Sequence, residues 1–237
     1  MAIEFANSKN YWRKMKTKIV ISFSGGMDSA TLLVFALHKD YECIAVGLPY
    51  GSKHNEYEIE KAKQFTQHYK VPFKIIDLKE AMKEFKSDLL LSGGEIPEGN
   101  YDDESMSRTV VPARNLIFAS ILSGYTLSIG AEEVWLGIHS GDHTIYPDCR
   151  PDFYVAMAKA IRLGTDQKIG LKAPFLLLDK AGILALGLDM KVPYELTRTC
   201  YKQQRLSCGK CGSCRERLEA FSKLETKDPI RYMKYEA

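Results

Sequence analysis

The chain has 237 residues, of which 45% are hydrophobic and 27% charged, enough for one domain with an appendage but not for two large domains. Lysine and arginine (33) exceed aspartate and glutamate (30) by only three, so the charge balance argues against a nucleic-acid partner. Residues 1–16 lack the apolar run of a signal peptide, and no stretch approaches the roughly 20 apolar residues of a membrane helix. We therefore expect a cytoplasmic protein with reduced thiols and no membrane partner.

Short aliphatic runs alternate with amphipathic segments from Lys18 onwards, the pattern of a parallel sheet with crossover helices. Strands are predicted at residues 18–23, 43–48, 73–77 and 133–138. Helices are predicted at residues 29–38, 55–69, 113–129, 180–189 and around 153–163. The predicted fold class is α/β, an open parallel, Rossmann-like sheet with helices on both faces.

Two segments stand apart from this alternation. Residues 87–112 are longer than the usual connection between two secondary-structure elements. We expect them to form a lid, a disordered loop or a mobile surface loop without a direct role. After Thr197 the composition becomes cysteine-rich and basic. We therefore predict a main domain at residues 1–197 and a small module with a C-terminal helix at residues 198–237.

The strongest motif, Ser24-Gly25-Gly26-Met27-Asp28-Ser29, lies between the first predicted strand and helix. Adjacent glycines let the backbone turn tightly, so that amide hydrogens and the helix N-terminus converge on an anion. The Walker loop requires a different spacing and a lysine. The motif resembles the PP-loop of ATP pyrophosphatases, which cleave ATP between its α and β phosphates. We assign to ATP the residues Ser22, Phe23, Ser24, Gly25, Gly26, Met27, Asp28 and Ser29; the alternative is a plain glycine turn.

Asp28 is the one acidic residue of this motif. Its carboxylate would repel a phosphate unless it caps the following helix or engages a magnesium ion. We favour the metal-binding or loop-bracing role and count Asp28 among the catalytic candidates.

Four of the six cysteines are spaced C-x7-C-x2-C-x2-C, namely Cys200, Cys208, Cys211 and Cys214. Four thiolates complete a tetrahedral shell and leave no position for an activated water, so we predict one structural zinc ion per chain. An iron–sulfur cluster is the main alternative. The remaining alternative is a redox pair at Cys211 and Cys214, or four unrelated thiols.

The combination of a PP-loop and four C-terminal cysteines resembles the 7-cyano-7-deazaguanine synthase family. Three more segments agree along nearly the whole chain. Residues 50–54, Y-G-S-K-H, are similar to the family's Y-G-Q-R-H, and residues 111–115, V-P-A-R-N, to its V-P-G-R-N. Residues 146–151 match its Y-P-D-C-R-P. The resemblance implies the sheet of the adenine nucleotide alpha hydrolases.

The resemblance also implies the reaction. Its substrates are ATP with Mg²⁺, 7-carboxy-7-deazaguanine and ammonia, and its product is 7-cyano-7-deazaguanine, formed through adenylated intermediates by way of the amide. The pathway is the biosynthesis of queuosine-type 7-deazapurines. No glutaminase domain fits in the remaining length, so we expect ammonia to arrive free or from another chain. Members of the family are often homodimers, and a homodimer is the oligomer that the resemblance allows here.

Several residues receive roles in this reaction. Arg114 is a candidate clamp for a phosphate or for the substrate, because a guanidinium binds an anion bidentately; its alternative is a surface arginine. His54 is the leading candidate for proton transfer, ahead of His139 and His143. By resemblance Tyr146, Asp148 and Arg150 form the base-binding loop. A carboxylate such as Asp148 suits the donor edge of a guanine-like ring, but an Asx-type turn explains it equally well.

The sequence also departs from the family's pattern. Ser52-Lys53 replaces Q-R, residues 142–145 read D-H-T-I instead of D-Y-S-G, and Arg198-Thr199 replaces a tryptophan-serine pair. The alternative that the chain is a paralogue, which stops at the amide or acts on a related deazapurine acid, therefore stays open. So do a PP-loop tRNA-modifying enzyme that uses Cys149 or a module cysteine, and a non-catalytic nucleotide- or nucleic-acid-binding module.

Overall fold

Five parallel strands form the sheet of this protein, whose computed structural model describes residues 16–100, 104–142 and 144–233. They are β1 (Lys18–Ser22), β2 (Glu42–Gly47), β3 (Phe73–Ile75), β4 (Glu133–Trp135) and β5 (Gly170–Lys172). The strand order is β3, β2, β1, β4, β5, and every neighbouring pair is parallel. This confirms the predicted open parallel sheet.

Helices cover both faces of the sheet. In the described residues they are α1 (Met27–His38), α2 (Asn55–His68), α3 (Lys79–Met82), α4 (Arg114–Ser128), α5 (Pro151–Gly164), α6 (Lys180–Asp189) and α7 (Gly212–Lys223). Side chains of β1 alternate between two buried cores because successive residues of a strand face opposite ways. Ile19 and Ile21 pack with residues of α1, α2, α6 and α7, whereas Val20 packs with residues of α4 and α5.

The boundaries differ from the prediction in three ways. β5 was not predicted, because Gly-Leu-Lys has no apolar run; its pairing with β4 defines it. The other strands end one to three residues earlier than predicted, since the chain leaves the sheet to form the site loops. α1 begins at Met27, two residues before the predicted start, which brings Asp28 and Ser29 into its first turn.

The strand order places a crevice beside β1. From β1 the chain runs outward through β2 to β3, and it then returns to pair β4 with the other side of β1. Ligands of open parallel sheets bind at the carboxyl ends of the strands where the direction of winding reverses. We therefore expect the functional site beyond Ser22 of β1 and Trp135 of β4.

Most of the described part of residues 87–112 packs against the domain. Its buried hydrophobic residues are Leu89, Leu90, Ile96, Met106 and Val111. The Lys53 ammonium donates a hydrogen bond of 2.8 Å to the carbonyl of Asp88 and another to the carbonyl of Gly94. A six-residue 3₁₀ helix lies within the segment. These contacts argue against a free surface loop; residues 101–103 lie outside the described residues.

The segment after Thr197 is tied to the main domain by a buried arginine. Arg217 of α7 is fully buried and forms a bidentate ion pair with Asp228, with N–O distances of 2.7 and 2.9 Å. It also donates to the carbonyl oxygen of Tyr194 at 3.2 Å and to the hydroxyl of Thr197 at 2.7 Å. These bonds cross the predicted boundary at residue 197, and the division into two domains stays a prediction.

One described segment, Ser105–Ser128, is long and apolar enough to cross a membrane by length and composition alone. It joins the 3₁₀ helix to α4 through the Val111-Pro112 segment. Because α4 packs against β1, β4 and α5, we interpret the segment as part of the domain core and not as a membrane span.

The loop between β1 and α1 passes very close to α2. Gly25 has a φ of +81°, and a Cβ atom at this position would lie 2.7 Å from the amide nitrogen of Ala62 and 2.9 Å from the carbonyl oxygen of Glu58. Both contacts are with helix backbone, which cannot rotate away. A side chain is therefore excluded here by conformation and by space.

We predict that Gly25→Ala destabilises the fold by about 3 kcal/mol or more, because a strained φ and a backbone overlap add together. Gly130→Ala is the matched control, since Gly130 also has a positive φ of +65° but nothing within 4 Å of its Cβ position. The control should lose only about 1 to 2 kcal/mol. Urea unfolding of both variants measures the difference, and equal losses would contradict the steric account.

Candidate active site

The N-terminus of α1 forms an anion cradle at the end of β1. The first helical amides, at Met27, Asp28 and Ser29, have no acceptor within the helix and face the crevice with the positive end of the helix dipole. The hydroxyl groups of Ser24 and Ser29 lie 3.2 Å apart, and the amide of Gly26 donates to Ser24 Oγ at 3.2 Å. This arrangement of donors suits a phosphate group.

Six of the eight residues predicted to bind ATP line a single cavity. These are Ser22, Ser24, Gly26, Met27, Asp28 and Ser29. Phe23 instead points into the core, where its ring packs against Phe65 and Phe73 at 5.7 and 6.4 Å. Gly25 supplies the tight turn against α2. Phe23 and Gly25 could therefore contact a nucleotide only through their backbone atoms.

Asp28 belongs to a buried charge cluster at the floor of this cavity. Its Oδ2 accepts a 2.6 Å hydrogen bond from the ammonium of Lys180, which also lies 3.2 Å from Glu216 Oε2 and 3.1 Å from His139 Nε2. Lys180 is 6% exposed, so it requires these two carboxylates to remain charged. Asp28 Oδ1 is buried and has no hydrogen-bond partner among the described residues.

The sequence analysis missed Lys180 and Glu216. Lys180 is the first residue of α6, where the helix dipole disfavours a cation and calls for an anionic partner. Arg114, the first residue of α4, is in the same position, so a cation at a predicted helix start could have singled out Lys180 from the sequence. Glu216 lies on α7 among the cysteines and offered no local signal.

Arg114 lies at the N-terminus of α4 and lines the same cavity. Its guanidinium carbon lies 6.0 Å from the ring centre of Tyr50 and 5.9 Å from that of Tyr146. The structure thus places a partly buried cation in the same cavity as the anion cradle. This position is compatible with the predicted clamp for a phosphate or a carboxylate.

His54 and Glu58 form a second polar pair in the cavity wall, one turn apart on the first part of α2. His54 Nε2 lies 3.6 Å from Glu58 Oε1, and the imidazole ring lies 5.4 Å from the ring of Tyr201. Burial, together with the charges of Arg114 and Arg198, lowers the pKa of His54 to about 3. His54 is therefore neutral at working pH, and so low a pKa makes it a weak proton acceptor. Among the other histidines, His139 joins the Lys180 cluster, and His143 lies outside the described residues.

Tyr146, Asp148 and Arg150 do not line this cavity, although Cys149 of the same loop does. Tyr146 is buried and shares a 2.8 Å hydrogen bond with Thr109. Asp148 Oδ2 accepts a 2.7 Å hydrogen bond from the backbone amide of Asn115, and Arg150 is exposed at the start of α5. Asp148 therefore has a structural contact at the N-terminus of α4. The substrate contacts assigned to these three residues stay predictions.

Arg198 is a further cavity residue without a predicted role. It is 4% exposed and donates hydrogen bonds of 2.6 to 3.1 Å to the carbonyl groups of Lys202, Gln204 and Arg205. Its backbone amide donates to the carbonyl of Gly25 at 3.0 Å. Arg198 thus joins the phosphate loop to the chain around the cysteines.

The four predicted metal ligands converge. The sulfur atoms of Cys200, Cys208, Cys211 and Cys214 all lie within 4.8 Å of one another, and all four residues are buried. Amides of Lys210 and Cys211 donate to the sulfur of Cys208 at 3.4 and 3.2 Å, which stabilises a thiolate. The cluster has the size and donors of a tetrahedral metal site, in which sulfur atoms 2.3 Å from zinc lie about 3.8 Å apart.

Residues next to these cysteines reach the cavity. Thr199 and Tyr201 flank Cys200, and Ser213 and Glu216 flank Cys214; all four line the cavity. The cysteine cluster therefore supports one wall of the site.

The comparisons with known proteins agree with this arrangement. The family model described as "Queuosine biosynthesis protein QueC" matches residues 18–225. The chain belongs to the QueC family. The 7-cyano-7-deazaguanine synthase of Caldicellulosiruptor saccharolyticus is 45% identical over 215 residues, covering 91% of this chain and 95% of that protein. The enzyme of the same name from Pseudoalteromonas atlantica is 44% identical over 218 residues, covering 92% and 100%.

Solved structures resemble this QueC family member more distantly. A predicted subunit of a tRNA methyltransferase from Methanocaldococcus jannaschii superposes with a TM-score of 0.49 at 12% identity, over 93% of this chain and 94% of that one. The family assignment rests on the sequence matches, which confirm the resemblance that the motifs indicated.

The pKa of Glu58 gives a testable pH dependence. Burial raises it from an ordinary 4.5 to about 8, against the opposing charges of Arg114 and Arg198. The folded protein thus holds a proton that the unfolded chain releases. The stability that this proton contributes is complete below pH 4.5 and is lost as the pH rises through 8.

We predict that between pH 6.5 and 8 the free energy of unfolding of the wild type falls with a slope of up to about 1.4 kcal/mol per pH unit relative to Glu58→Gln. His54, whose pKa falls from 6.5 to about 3 on folding, is present in both proteins, so its contribution cancels in this comparison. Urea unfolding at several pH values measures the slopes, and parallel curves for the two proteins would contradict the prediction.

Proposed function

We propose that this chain is an ATP-dependent ligase that converts 7-carboxy-7-deazaguanine and ammonia into 7-cyano-7-deazaguanine, a step of queuosine biosynthesis. One observation carries the proposal: in a QueC family member, the anion cradle of α1 and Arg114 line a single cavity. The cradle suits the phosphates of ATP, and a guanidinium suits a carboxylate.

The first half of the reaction forms the amide. A carboxylate is a poor electrophile, so one of its oxygens attacks the α-phosphorus of ATP and releases pyrophosphate. Ammonia then attacks the acyl adenylate, and AMP leaves with one of the original carboxylate oxygens. Proteins accelerate such steps chiefly by positioning the reactants and stabilising developing charge.

The second half forms the nitrile by the same activation. The amide oxygen attacks the α-phosphorus of a second ATP, which again releases pyrophosphate. Loss of AMP and a proton from the adenylated amide then gives the carbon–nitrogen triple bond. Two ATP are consumed for each nitrile, and both oxygens of the acid end in AMP.

The residues of the cavity divide this work. The amides and hydroxyl groups of the α1 cradle bind the departing pyrophosphate, and Lys180 places a buried positive charge beside it. Arg114 holds the acid in the same cavity. The pKa of His54, about 3, makes it too weak a base to hold the proton that ammonia or the amide must lose, so this proton leaves to solvent.

Magnesium fits Asp28, whose buried Oδ1 has no hydrogen-bond partner among the described residues. When bound, magnesium neutralises phosphate charge and orients the phosphates. Asp28 would thus serve as its ligand through Oδ1 while Oδ2 stays paired with Lys180.

The loop with Tyr146, Asp148 and Arg150 supports the clamp in this account. Asp148 fixes the first turn of α4 through the amide of Asn115, and the ring of Tyr146 lies beneath Arg114. We propose that the loop orients Arg114, in addition to or in place of a direct contact with the base. Cytoplasmic location, a homodimer and the separation of residues 198–237 as a module also stay predictions.

Product analysis tests the function. The purified protein is incubated with ATP, magnesium, ammonium and 7-carboxy-7-deazaguanine. AMP is then measured by chromatography and the base by mass spectrometry. We expect nitrile with two AMP for each product. Accumulation of the amide with one AMP would identify a paralogue that stops half-way, and the absence of acid-dependent AMP would contradict the proposal.

Zinc is the metal we propose for the four cysteines, because buried thiolates in a closed set of four are its structural site. We predict one zinc ion per chain, lost in Cys214→Ser together with stability and activity, since α7 also carries Glu216 of the cavity. Structural zinc contributes on the order of 10 kcal/mol in small peptides.

Elemental analysis and thermal unfolding measure both effects. Cys43→Ser is the control: burial raises the pKa of this thiol to about 12, and it lies outside the cluster. The control should retain its zinc. Iron with sulfide in the purified protein, or an unchanged zinc content in Cys214→Ser, would contradict the assignment.

A further inference from the structure

Three carboxyl groups line the cavity in the described residues, and they lie in two different settings. Asp28 and Glu216 share the ammonium of Lys180 at 2.6 and 3.2 Å, so both are already paired. Glu58 is not part of that cluster. It lies on α2 beside His54, and its side chain is 18% exposed. Its carboxylate accepts no hydrogen bond from another described residue.

The surroundings of Glu58 are those of a site for a planar polar ligand. The rings of Tyr50, Phe118 and Tyr201 line this cavity; Tyr201 lies next to His54, and the ring centres of Tyr50 and Phe118 lie 5.5 Å apart. His54 is 3% exposed, and its Nδ1 has no hydrogen-bond partner among the described residues. Aromatic faces and polar atoms that await a partner together favour a heterocyclic base over a simple acid.

The position of Glu58 also suits the reaction. Its backbone carbonyl lies beneath Gly25 of the phosphate loop, at 2.9 Å from the Cβ position of that glycine. The Glu58 side chain and the α1 cradle also line the same cavity, so a base that binds Glu58 shares that cavity with the phosphates.

We propose that Glu58 is the specificity-determining residue for the base, accepting hydrogen bonds from the ring N1–H and the 2-amino group of 7-carboxy-7-deazaguanine. This inference rests on the function proposed above. An ionised carboxylate offers two parallel acceptors, which match two adjacent N–H donors. In the free protein Glu58 holds a proton near neutral pH, and the two N–H donors of the base, together with the charges of Arg114 and Arg198, favour the ionised carboxylate, so the proton is released on binding. Asp148, the carboxylate first considered for this contact, is engaged by the amide of Asn115.

The test combines a change in the residue with a change in the ligand. Wild type and Glu58→Gln are each assayed with 7-carboxy-7-deazaguanine and with the analogue that lacks the 2-amino group. We expect Glu58→Gln to raise the KM for the natural acid by about 10- to 100-fold, as for the loss of a hydrogen bond to a charged group. The KM for ATP should change by less than about twofold.

The analogue separates recognition from a general defect. Wild type should lose about 10-fold or more in kcat/KM when the 2-amino group is removed, whereas Glu58→Gln should discriminate little between the two acids. Glu56→Gln, an exposed glutamate on the same helix, is the control and should behave as wild type. Glu58→Asp keeps the carboxylate and provides a second variant if the glutamine variant does not fold.

Each outcome is decisive. If Glu58→Gln and Glu58→Asp keep the KM of the control, or discriminate the two acids as strongly as wild type, the role of Glu58 is refuted while the proposed function stands. If wild type itself neither binds nor activates 7-carboxy-7-deazaguanine in equilibrium dialysis and assay, the proposed function and this inference both fail.

Discussion

The buried ammonium of Lys180 is the interaction on which the site depends. It joins Asp28 of α1 to Glu216 of α7, although these residues lie far apart in the chain. A cation that is 6% exposed is stable only with its partners in place, and each carboxylate likewise needs the cation. The cluster therefore fixes three helices around one cavity, with the phosphate-binding amides of α1 at its edge.

This constraint makes the cysteine cluster part of the site. Cys211 precedes the first residue of α7 and Cys214 lies in its first turn, two residues before Glu216. A metal ion that holds the four sulfurs thereby sets the orientation of α7 and the distance from Glu216 to Lys180. On the other side of the cluster, Cys200 is followed by Tyr201, which lies against His54. A metal ion bound by all four sulfurs would have no open position for chemistry, yet its removal would disturb two walls of the cavity.

The sequence predicts those parts of the site that lie in one short segment. The phosphate loop and the four cysteines are each readable from spacing, because neighbouring residues must act together there. Glu58, Lys180 and Glu216 lie singly on three helices and become a site only when the sheet brings the ends of these helices together. Asp148 illustrates the converse, because a motif carboxylate that suits a base is engaged by a helix amide. For the same reason β5, defined by its partner strand, escaped prediction.

In the proposed reaction, the acid and then the amide are both activated at the α-phosphorus of ATP, beside the cradle of α1. The most direct test uses 7-carboxy-7-deazaguanine with ¹⁸O in both carboxylate oxygens and analyses the products of complete turnover by mass spectrometry. We expect one nitrile and two AMP for each acid, with one ¹⁸O in each AMP and no label in pyrophosphate. Label in phosphate, in pyrophosphate or in water would place the activation at another atom and contradict the account.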